Sequence, residues 1–340
     1  MAWYNRLVEN REVIAEQLDA MAYIMEDCAK KQKNITEECR SNLQDIAYRA
    51  RERGIKVIDE QLWEKENGRW QLVMKVMVKD GCVTTRELTK AVAGALNRRM
   101  IPEKDTKTLI GKGVNLYTYE EEPRFQAIYG VARMVKDGAA VSGDNFSFLE
   151  PESGKMVMCL SDGMGSGSLA CKESEMVIEL VEKFLEAGFD VETAARMMNS
   201  AMVMKGQEDL FSTVDISELD LYDGTCRFYK IGAAATFIRR NGIVECLIST
   251  SLPVGVSYKL DMEKSEKDLY NGDFLVMVSD GVLEYLHVPN PEETMQEIIE
   301  SIETNNATIL AKRILERVLL FTGGKAADDM TVLATAIWEK

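Results

Sequence analysis

The amino-acid sequence predicts a fold that combines α-helices and β-strands. Two runs of five apolar residues, at 156–160 and 274–278, are typical of strands buried on both faces, because such strands lose the polar alternation of half-exposed ones. Each run leads into Ser-Asp-Gly, at 161–163 and at 279–281, and the first continues through a glycine-broken turn into a stretch with helical spacing. From residue 124 onward, strand and helix patterns alternate along the chain.

The composition is that of a soluble globular protein with an excess of negative charge. The 340 residues are 46% hydrophobic and 29% charged, and the formal net charge is −15 at pH 7. This charge argues against a nucleic-acid-binding protein, because no basic stripe is available to neutralise phosphates. A phosphorylated substrate would also be repelled unless bound cations reversed the local field.

The cysteine and histidine content predicts a cytoplasmic protein with a restricted chemistry. The seven cysteines include no C-x-x-C pair, and several lie inside apolar runs, as is typical of reduced core residues. The sequence has no recognisable secretory signal and no apolar run long enough to span a bilayer. The single histidine, His287, excludes histidine-rich zinc sites. Any hydrolysis is therefore expected to depend on carboxylates and on oxygen-preferring cations such as Mg²⁺ or Mn²⁺.

Residues 1–123 predict a mostly helical segment with a β-hairpin, and this segment ends at an acidic boundary, Glu120–Pro123. An apolar seam on the first helix can either pack on its own domain or pair with a second copy of the chain. We expect a regulatory or dimerisation region here, because the segment contains no recognisable catalytic constellation. The expected elements are helices at 2–33, 36–54 and 84–97, hairpin strands at 55–63 and 70–78, and a strand at 109–119.

Residues 124–340 predict a second domain in which hairpins and helices follow one another. Tyr222-Asp223-Gly224 and Asn241-Gly242 are typical hairpin turns, and a polar turn after the first strand is expected to pair 146–149 back onto 125–135. The expected strands are 125–135, 146–149, 155–161, 213–221, 226–231, 236–240, 243–248, 274–278 and 332–337, and the expected helices are 167–188, 190–204, 292–303 and 305–320.

The candidate site consists of four aspartates at strand ends: Asp144, Asp162, Asp280 and Asp328. A site at one edge of a sheet requires ligands in such positions, since they converge from distant parts of the chain. Gathered carboxylates repel one another unless a cation lies between them. We expect two cations about 3.5–4 Å apart with Asp162 as the bridging ligand, because such a pair produces hydroxide from water near neutral pH. The carbonyl oxygen of Gly163 and the side chain of Asp329 are further candidate ligands.

Each of these residues also has an interpretation without catalytic function. Asp-Gly is a common turn dipeptide, and the glycines after Asp162 and Asp280 are expected to let the backbone turn sharply. The glycine-rich turn at 163–167 could instead hold a nucleotide phosphate at a helix N-terminus, although it lacks the spacing of known nucleotide-binding loops. The repetition of the apolar-Ser-Asp-Gly unit favours a shared site over separate turns. His287 is interpreted as structural or solvated.

Several short motifs along residues 124–340 carry a family resemblance. They are Gly130-Val131-Ala132-Arg133, Ser142-Gly143-Asp144, Ser161-Asp162-Gly163-Met164-Gly165-Ser166-Gly167, Phe211-Ser212-Thr213-Val214-Asp215, Leu252-Pro253-Val254-Gly255, Ser279-Asp280-Gly281 and Asp328-Asp329-Met330-Thr331. In this order they resemble the metal-dependent PPM-type (protein phosphatase 2C-like) serine/threonine phosphatases, in particular the bacterial branch typified by stage II sporulation protein E. Residues 1–123 are similar, with weaker motifs, to the regulatory segment of that branch.

The resemblance implies an α+β fold in which a β-sandwich is flanked by helices, rather than the doubly wound sheet that the alternation alone suggests. It implies two Mn²⁺ or Mg²⁺ ions held by Asp144, Asp162, Asp280 and Asp328, with Asp162 bridging. It also implies hydrolysis of phosphoserine or phosphothreonine by a metal-activated water, without a phosphoenzyme.

The same resemblance implies a substrate and a mode of control. The substrate would be a phosphorylated anti-sigma factor antagonist, whose dephosphorylation frees a sporulation sigma factor. The helices at about 167–205 would act as a switch coupled to the preceding segment and to homodimerisation. That branch normally carries a membrane segment ahead of its regulatory part, so a soluble relative or a fragment is expected here. Arg133 is the candidate counterpart of the phosphate-binding arginine of eukaryotic members.

Three hypotheses stay open at this point. The first is a metal-dependent phosphoprotein phosphatase. The second is a catalytically silent signalling scaffold that binds a regulatory phosphoprotein, and the intact set of aspartates argues against it. The third is a nucleotide-binding transferase that uses the glycine-rich turn, and it predicts ATP or GTP binding that the first does not.

Overall fold

The computed structural model describes residues 37–64, 69–103, 106–151, 154–165, 167–204, 211–257, 259–321 and 323–340. These residues divide into two compact units, of which one ends at Glu122 and the other begins at Pro123. The helix expected at 2–33 lies outside the described residues. Within the described ranges, every helix is too short or too polar to cross a membrane.

The unit that ends at Glu122 is a four-stranded antiparallel sheet that shares a core with two helices. The hairpin expected from the sequence is present, with Ile55 paired to Val78 and a bulge between Val57 and Asp59. The elements are α1 (Glu37–Glu52), β1 (Ile55–Glu64), β2 (Trp70–Val78), β3 (Val83–Thr84), α2 (Thr85–Leu96), β4 (Met100–Pro102), β5 (Leu109–Ile110) and β6 (Asn115–Glu121). The sheet order is β1-β2-β6-β4, and β3 pairs separately with β5.

One strand expected in this unit is divided into two. The sequence predicts a single strand at 109–119, whereas β5 and β6 are separate and join different sheets. Gly111 and Gly113 lie between them, and the N–H of Val78 donates to the carbonyl of Gly111. The backbone therefore turns at the glycines, which lowers the strand propensity of this stretch.

The unit that begins at Pro123 contains the longer alternation of strands and helices. The bounds of the expected elements agree with the sequence-based expectation to within a few residues, and a strand at Glu263–Asp268 and a short helix at Asp280–Glu284 are additional. The elements are β7 (Phe125–Met134), β8 (Asp144–Leu149), β9 (Lys155–Gly163), α3 (Ser168–Glu186), α4 (Val191–Met204), β10 (Ser212–Asp220), β11 (Thr225–Ile231), β12 (Thr236–Arg240), β13 (Ile243–Leu247), β14 (Glu263–Asp268), β15 (Phe274–Val278), α5 (Asp280–Glu284), α6 (Pro291–Glu300), α7 (Ala307–Phe321) and β16 (Met330–Glu339).

Two antiparallel five-stranded sheets form a β-sandwich in this unit. Their orders are β14-β11-β10-β9-β8 and β13-β12-β15-β16-β7. Side chains from both sheets form the central apolar layer, helices α3 and α4 pack on the outer face of the first sheet, and α6 and α7 pack on that of the second. The α+β sandwich flanked by helices is therefore confirmed, and the doubly wound sheet is excluded.

Strand β9 explains why the first apolar run lacks polar alternation. Met156, Met158 and Leu160 face the layer between the two sheets, whereas Val157 and Cys159 face helices α3 and α4. Both faces of the strand are thus covered, so each successive residue is buried.

The pairing expected between 146–149 and 125–135 is wrong. Strand β8 pairs with β9, and β7 pairs with β16 in the other sheet. The loop between β7 and β8 therefore crosses from one sheet to the other instead of closing a hairpin. This crossing places the start of β8 at the same edge of the sandwich as the end of β9, the end of β15 and the start of β16.

Candidate metal centre

Asp144 and Asp162 are register partners on neighbouring strands. Asp144 is the first residue of β8, and Asp162 is the last but one of β9. Side chains of register partners point to the same face of a sheet, so the two carboxyl groups lie side by side. Asp144 is fully buried, and neither of its carboxylate oxygens has a hydrogen-bond partner. A buried carboxylate without a partner is costly, which makes this position a candidate ligand.

The segment that carries Asp280 is joined to the start of β16. The N–H of Ser279 donates to the carbonyl of Thr331 at 3.0 Å, and the N–H of Thr331 donates to Ser279 Oγ at 2.9 Å. Helix α5 begins at Asp280, directly after Ser279. These two hydrogen bonds therefore bring Asp280 close to Asp328 and Asp329, which precede β16.

The electrostatics show that these carboxyl groups are crowded. Burial, followed by the charges of Asp280 and Asp144, raises the pKa of Asp162 to about 10. Burial also raises the pKa of Asp144; the hydroxyl groups of Thr331 and Ser279 lie close to it and counteract the shift, while the charge of Asp280 adds to it. The group therefore resists ionisation unless positive charge is added nearby.

Glu284 is a carboxylate at this site that the sequence analysis missed. It ends α5, one helical turn after Asp280. Burial raises the pKa of Glu284, and the charges of Asp280 and Asp328 raise it further, so both carboxylates lie within electrostatic reach of it. The signal available in the sequence was the four-residue spacing from Asp280, which places two helical side chains on one face.

Asp328 and Asp329 have different surroundings. The carboxylate of Asp329 holds the loop before β8, because its Oδ1 accepts the N–H of Lys136 at 2.9 Å and its Oδ2 accepts the N–H of Gly143 at 2.7 Å. Asp328 Oδ1 accepts the N–H of Asp329 at 3.0 Å and lies 3.5 Å from Lys136 Nζ. Both oxygens of Asp329 thus accept backbone N–H groups, whereas the carboxylate of Asp328 forms an ion pair with the ammonium group of Lys136.

Gly163 and Gly281 follow the two aspartates for a reason other than the expected one. Neither has a positive φ, so a sharp turn is not what these positions require. A Cβ on Gly163 would lie 2.1 Å from the carbonyl oxygen of Ala170, and a Cβ on Gly281 would lie 2.2 Å from that of Asp329. Close approach of another backbone segment therefore selects glycine at both positions. The same approach brings helix α3 and the segment before β16 to the aspartates.

The structure brings the predicted residues together to different degrees. Asp144, Asp162 and Asp280 lie within electrostatic reach of one another, and Asp328 borders this group next to Gly281. In the part of the chain that the structure describes, no three acidic, histidine or cysteine side chains are already close enough to enclose a metal ion.

Two other residues singled out in the sequence have definite surroundings. Arg133 donates from Nη2 to the carbonyl oxygen of Asp144 at 2.5 Å, so it contacts the backbone of a candidate ligand. His287 is exposed and packs edge-to-face on Tyr285 with ring centroids 5.4 Å apart. The histidine thus has the surface position expected of a structural or solvated residue.

Comparison with known proteins identifies similar chains along the whole length. The family model described as Stage II sporulation protein E (SpoIIE) matches residues 152–337. Stage II sporulation protein E of Bacillus subtilis (strain 168) is 28% identical over 333 residues, which cover 98% of this chain and 40% of that protein. A shorter match, 35% identical over 86 residues, covers 25% of this chain and 41% of the phosphoserine phosphatase RsbX of the same organism. The chain spans 40% and 57% of the length of the curated sporulation proteins of B. subtilis and Priestia megaterium.

A solved structure is similar in fold as well as in sequence. The structure of the PP2C phosphatase domain and a fragment of the regulatory domain of the cell fate determinant SpoIIE from Bacillus subtilis superposes with a TM-score of 0.69 and 27% identity, and the match covers 100% of this chain and 99% of that one. The resemblance read from the sequence motifs is confirmed by these matches. The chain therefore belongs to the stage II sporulation protein E family of PP2C-type serine/threonine phosphatases.

Proposed function

We propose that this chain is a divalent-cation-dependent phosphatase that removes phosphate from a phosphoserine or phosphothreonine of a regulatory protein. The observation that carries the proposal is the fully buried carboxylate of Asp144, whose two oxygens have no hydrogen-bond partner. It lies next to two further carboxyl groups, those of Asp162 and Asp280. A bound cation stabilises such a group of buried carboxylates.

The donor set fits a hard divalent cation. Asp144, Asp162, Asp280 and Asp328 would hold two Mn²⁺ or Mg²⁺ ions, with Asp162 between them and the carbonyl oxygen of Gly163 as a further ligand. All of these donors are oxygens, which these cations prefer. Asp329 is the weakest candidate of the set, because both of its oxygens already accept backbone N–H groups. When bound, the cations supply a nucleophilic water at neutral pH and neutralise charge on the phosphoryl group.

The chain's own residues position the donors. Asp329 fixes both ends of the loop before β8, and Arg133 fixes the backbone of Asp144 from strand β7. Ser279 and Thr331 lock the start of α5 to the start of β16. The donors therefore lie at strand or helix termini that are hydrogen-bonded to a second segment. This pre-organisation lowers the free-energy cost of bringing like charges together.

The proposed substrate class and assembly state are inferred from the family to which the chain belongs. A phosphorylated anti-sigma factor antagonist is the proposed substrate, and the proposed location is the cytoplasm. The free cysteines among the described residues, two of them buried, are consistent with a reducing compartment. Residues 1–123 are proposed to form a regulatory and dimerisation region, and 124–340 the phosphatase domain. Homodimerisation is the proposed assembly state.

Phosphate release tests the proposal directly. Full-length chain is assayed with p-nitrophenyl phosphate and with a phosphoserine-bearing protein, in Mn²⁺, in Mg²⁺ and in chelator. We expect turnover only with a divalent cation, and a loss of roughly 10²–10³-fold in kcat for Asp162→Asn. Asp80→Asn serves as the matched control, because that side chain is 92% exposed.

Three results would contradict the proposal. Full activity of Asp162→Asn would exclude the carboxylate cluster as the active site. A wild-type chain that binds the phosphoprotein but releases no phosphate at saturating Mn²⁺ would support the silent scaffold instead. ATP or GTP binding with no phosphatase activity would support the transferase.

A further inference from the structure

Lys136 places an ammonium group beside one of the candidate ligands. Its Nζ lies 3.5 Å from Asp328 Oδ1, and the two side chains are 37% and 34% exposed. The backbone beneath it is fixed, because the N–H of Lys136 donates to Asp329 Oδ1 at 2.9 Å and the N–H of Asp137 donates to the carbonyl of Ala326 at 2.7 Å. Hydrogen bonds thus hold the backbone at Lys136, while its side chain is partly exposed to solvent.

Arg133, a second positively charged residue near the four aspartates, contacts the backbone and not a carboxylate. It donates a hydrogen bond to the carbonyl oxygen of Asp144. Among the described residues, Lys136 is the one lysine or arginine that forms an ion pair with any of Asp144, Asp162, Asp280 or Asp328. The chain has a net charge of −15, so any cation at this edge of the sandwich strengthens the binding of a phosphoryl dianion there.

We propose that Lys136 is a displaceable counter-ion that neutralises Asp328 until a divalent cation binds there, and then contacts the phosphoryl oxygens of the substrate. This proposal rests on the proposed function. An ammonium and a divalent cation repel each other at one carboxylate, and the divalent ion has the stronger attraction for it. Lysine carries a compact charge on a flexible four-carbon stem, so the ammonium can move while its backbone stays in place.

Two equilibria should then shift in opposite directions when the ammonium is removed. In Lys136→Met, Mg²⁺ should bind about two- to fivefold more tightly, since an exposed ion pair of this kind no longer competes. Inorganic phosphate should bind the Mg²⁺-loaded protein roughly tenfold more weakly, because a charged hydrogen bond to it is lost. A residue that merely supported the loop would weaken both equilibria together.

Isothermal titration calorimetry measures both equilibria without turnover. Mg²⁺ is titrated into metal-free protein, and inorganic phosphate is then titrated into the Mg²⁺-loaded protein. Lys136→Arg, which keeps the charge, should restore phosphate binding to within a few-fold. Lys183→Met is the control, because it removes the same charge from an ion pair with Glu179 near the far end of helix α3. Thermal unfolding verifies that each variant is folded.

The outcomes separate this proposal from the one on which it rests. A wild-type chain that binds no divalent cation would overturn both. Normal Mg²⁺ binding by the wild type, with Mg²⁺ and phosphate affinities of Lys136→Met equal to those of Lys183→Met, would overturn the role of Lys136 alone. Weakening of both affinities in Lys136→Met would do the same, since it indicates a structural role.

Discussion

Asp144 and Asp162 face each other from register-paired positions on the antiparallel strands β8 and β9, and the former has no hydrogen-bond partner for its buried carboxylate. This pairing sets the chemistry of the site. One strand pair supplies two carboxyl groups at a separation that the sheet itself fixes, and the start of α5 brings a third, Asp280. The repulsion between these carboxylates should therefore lower the free energy of unfolding of the cation-free protein.

In chelator, we expect the protein to lose stability as the pH rises, through Asp162. The ordinary pKa of this side chain is 3.8, and the fold raises it to about 10. Between these values the folded state keeps a proton that the unfolded state has released, so the free energy of unfolding falls with increasing pH. The stabilising contribution is complete below the lower pKa and is lost as the pH approaches the upper one. Thermal unfolding in chelator between about pH 5 and pH 9 measures the slope.

Asp162→Asn isolates this contribution. In chelator near neutral pH the variant should be more stable than the wild type, by roughly 1–3 kcal/mol, and its pH slope should be shallower. Asp80→Asn, whose side chain is 92% exposed, should leave the slope unchanged. Excess Mg²⁺ or Mn²⁺ should raise the Tm of the wild type, because the ion binds only the folded state. Equal slopes for the wild type and Asp162→Asn would contradict the explanation.

The sequence was sufficient where a residue's environment follows from its immediate neighbours. Met156 to Leu160 lack polar alternation because the strand has apolar layers on both sides, and that pattern is visible without a structure. Asn241-Gly242 predicts its hairpin because both residues adopt positive φ in the turn. The aspartates at strand ends were recognisable because the Ser-Asp-Gly unit occurs twice.

The sequence was insufficient where the answer depends on distant segments. The loop that precedes β8 crosses to the other sheet instead of turning back onto β7, and it is held by Asp329, which lies 186 residues from its hydrogen-bond partner Gly143. The glycine at 281 is required by a carbonyl oxygen of that same distant segment, so a turn-based explanation was wrong. Glu284 joins the site only because a short helix begins at Asp280. The contacts of Gly143 and Gly281 with the segment at Asp329 have no local signature, whereas the four-residue spacing of Asp280 and Glu284 was a local signal.

Gly281→Ala should disturb both the fold and the cation site. The new Cβ would lie 2.2 Å from the carbonyl oxygen of Asp329, and neither backbone segment can yield cheaply. We expect a loss of about 1–3 kcal/mol in the free energy of unfolding, as for other overpacked positions. Because the displaced segment carries Asp328, Mg²⁺ affinity should fall by roughly 10–100-fold, as when supporting groups of a metal site are lost.

Urea unfolding and calorimetric Mg²⁺ titration measure these two effects. Gly111→Ala is the matched control, because its φ is not positive and a Cβ there has no atom within 4 Å. The control should be stable and bind Mg²⁺ normally. A Gly281→Ala protein that behaves like Gly111→Ala would show that the close approach to Asp329 is not needed.

A buried ion pair connects the neighbouring strands β10 and β11 of one sheet, and a threonine of the other sheet is hydrogen-bonded to both of its members. Lys230 Nζ donates to Asp215 Oδ2 at 2.5 Å, and the side chains are 4% and 2% exposed. Thr236, on the facing sheet, accepts from Lys230 at 2.8 Å and donates to Asp215 at 2.5 Å. Removing the lysine alone leaves the buried carboxylate of Asp215 without its counter-ion. Lys230→Met should therefore lower the free energy of unfolding by about 3–5 kcal/mol.

Urea unfolding distinguishes the effect of an unpaired buried charge from the loss of a favourable ion pair. Combining Lys230→Met with Asp215→Leu should recover most of the lost stability, because the pair as a whole contributes little beyond its desolvation cost. Lys267→Met, in an exposed pair with Glu245, should cost no more than about 1 kcal/mol. If the double variant is as unstable as Lys230→Met, the pair contributes net stability to the β-sandwich.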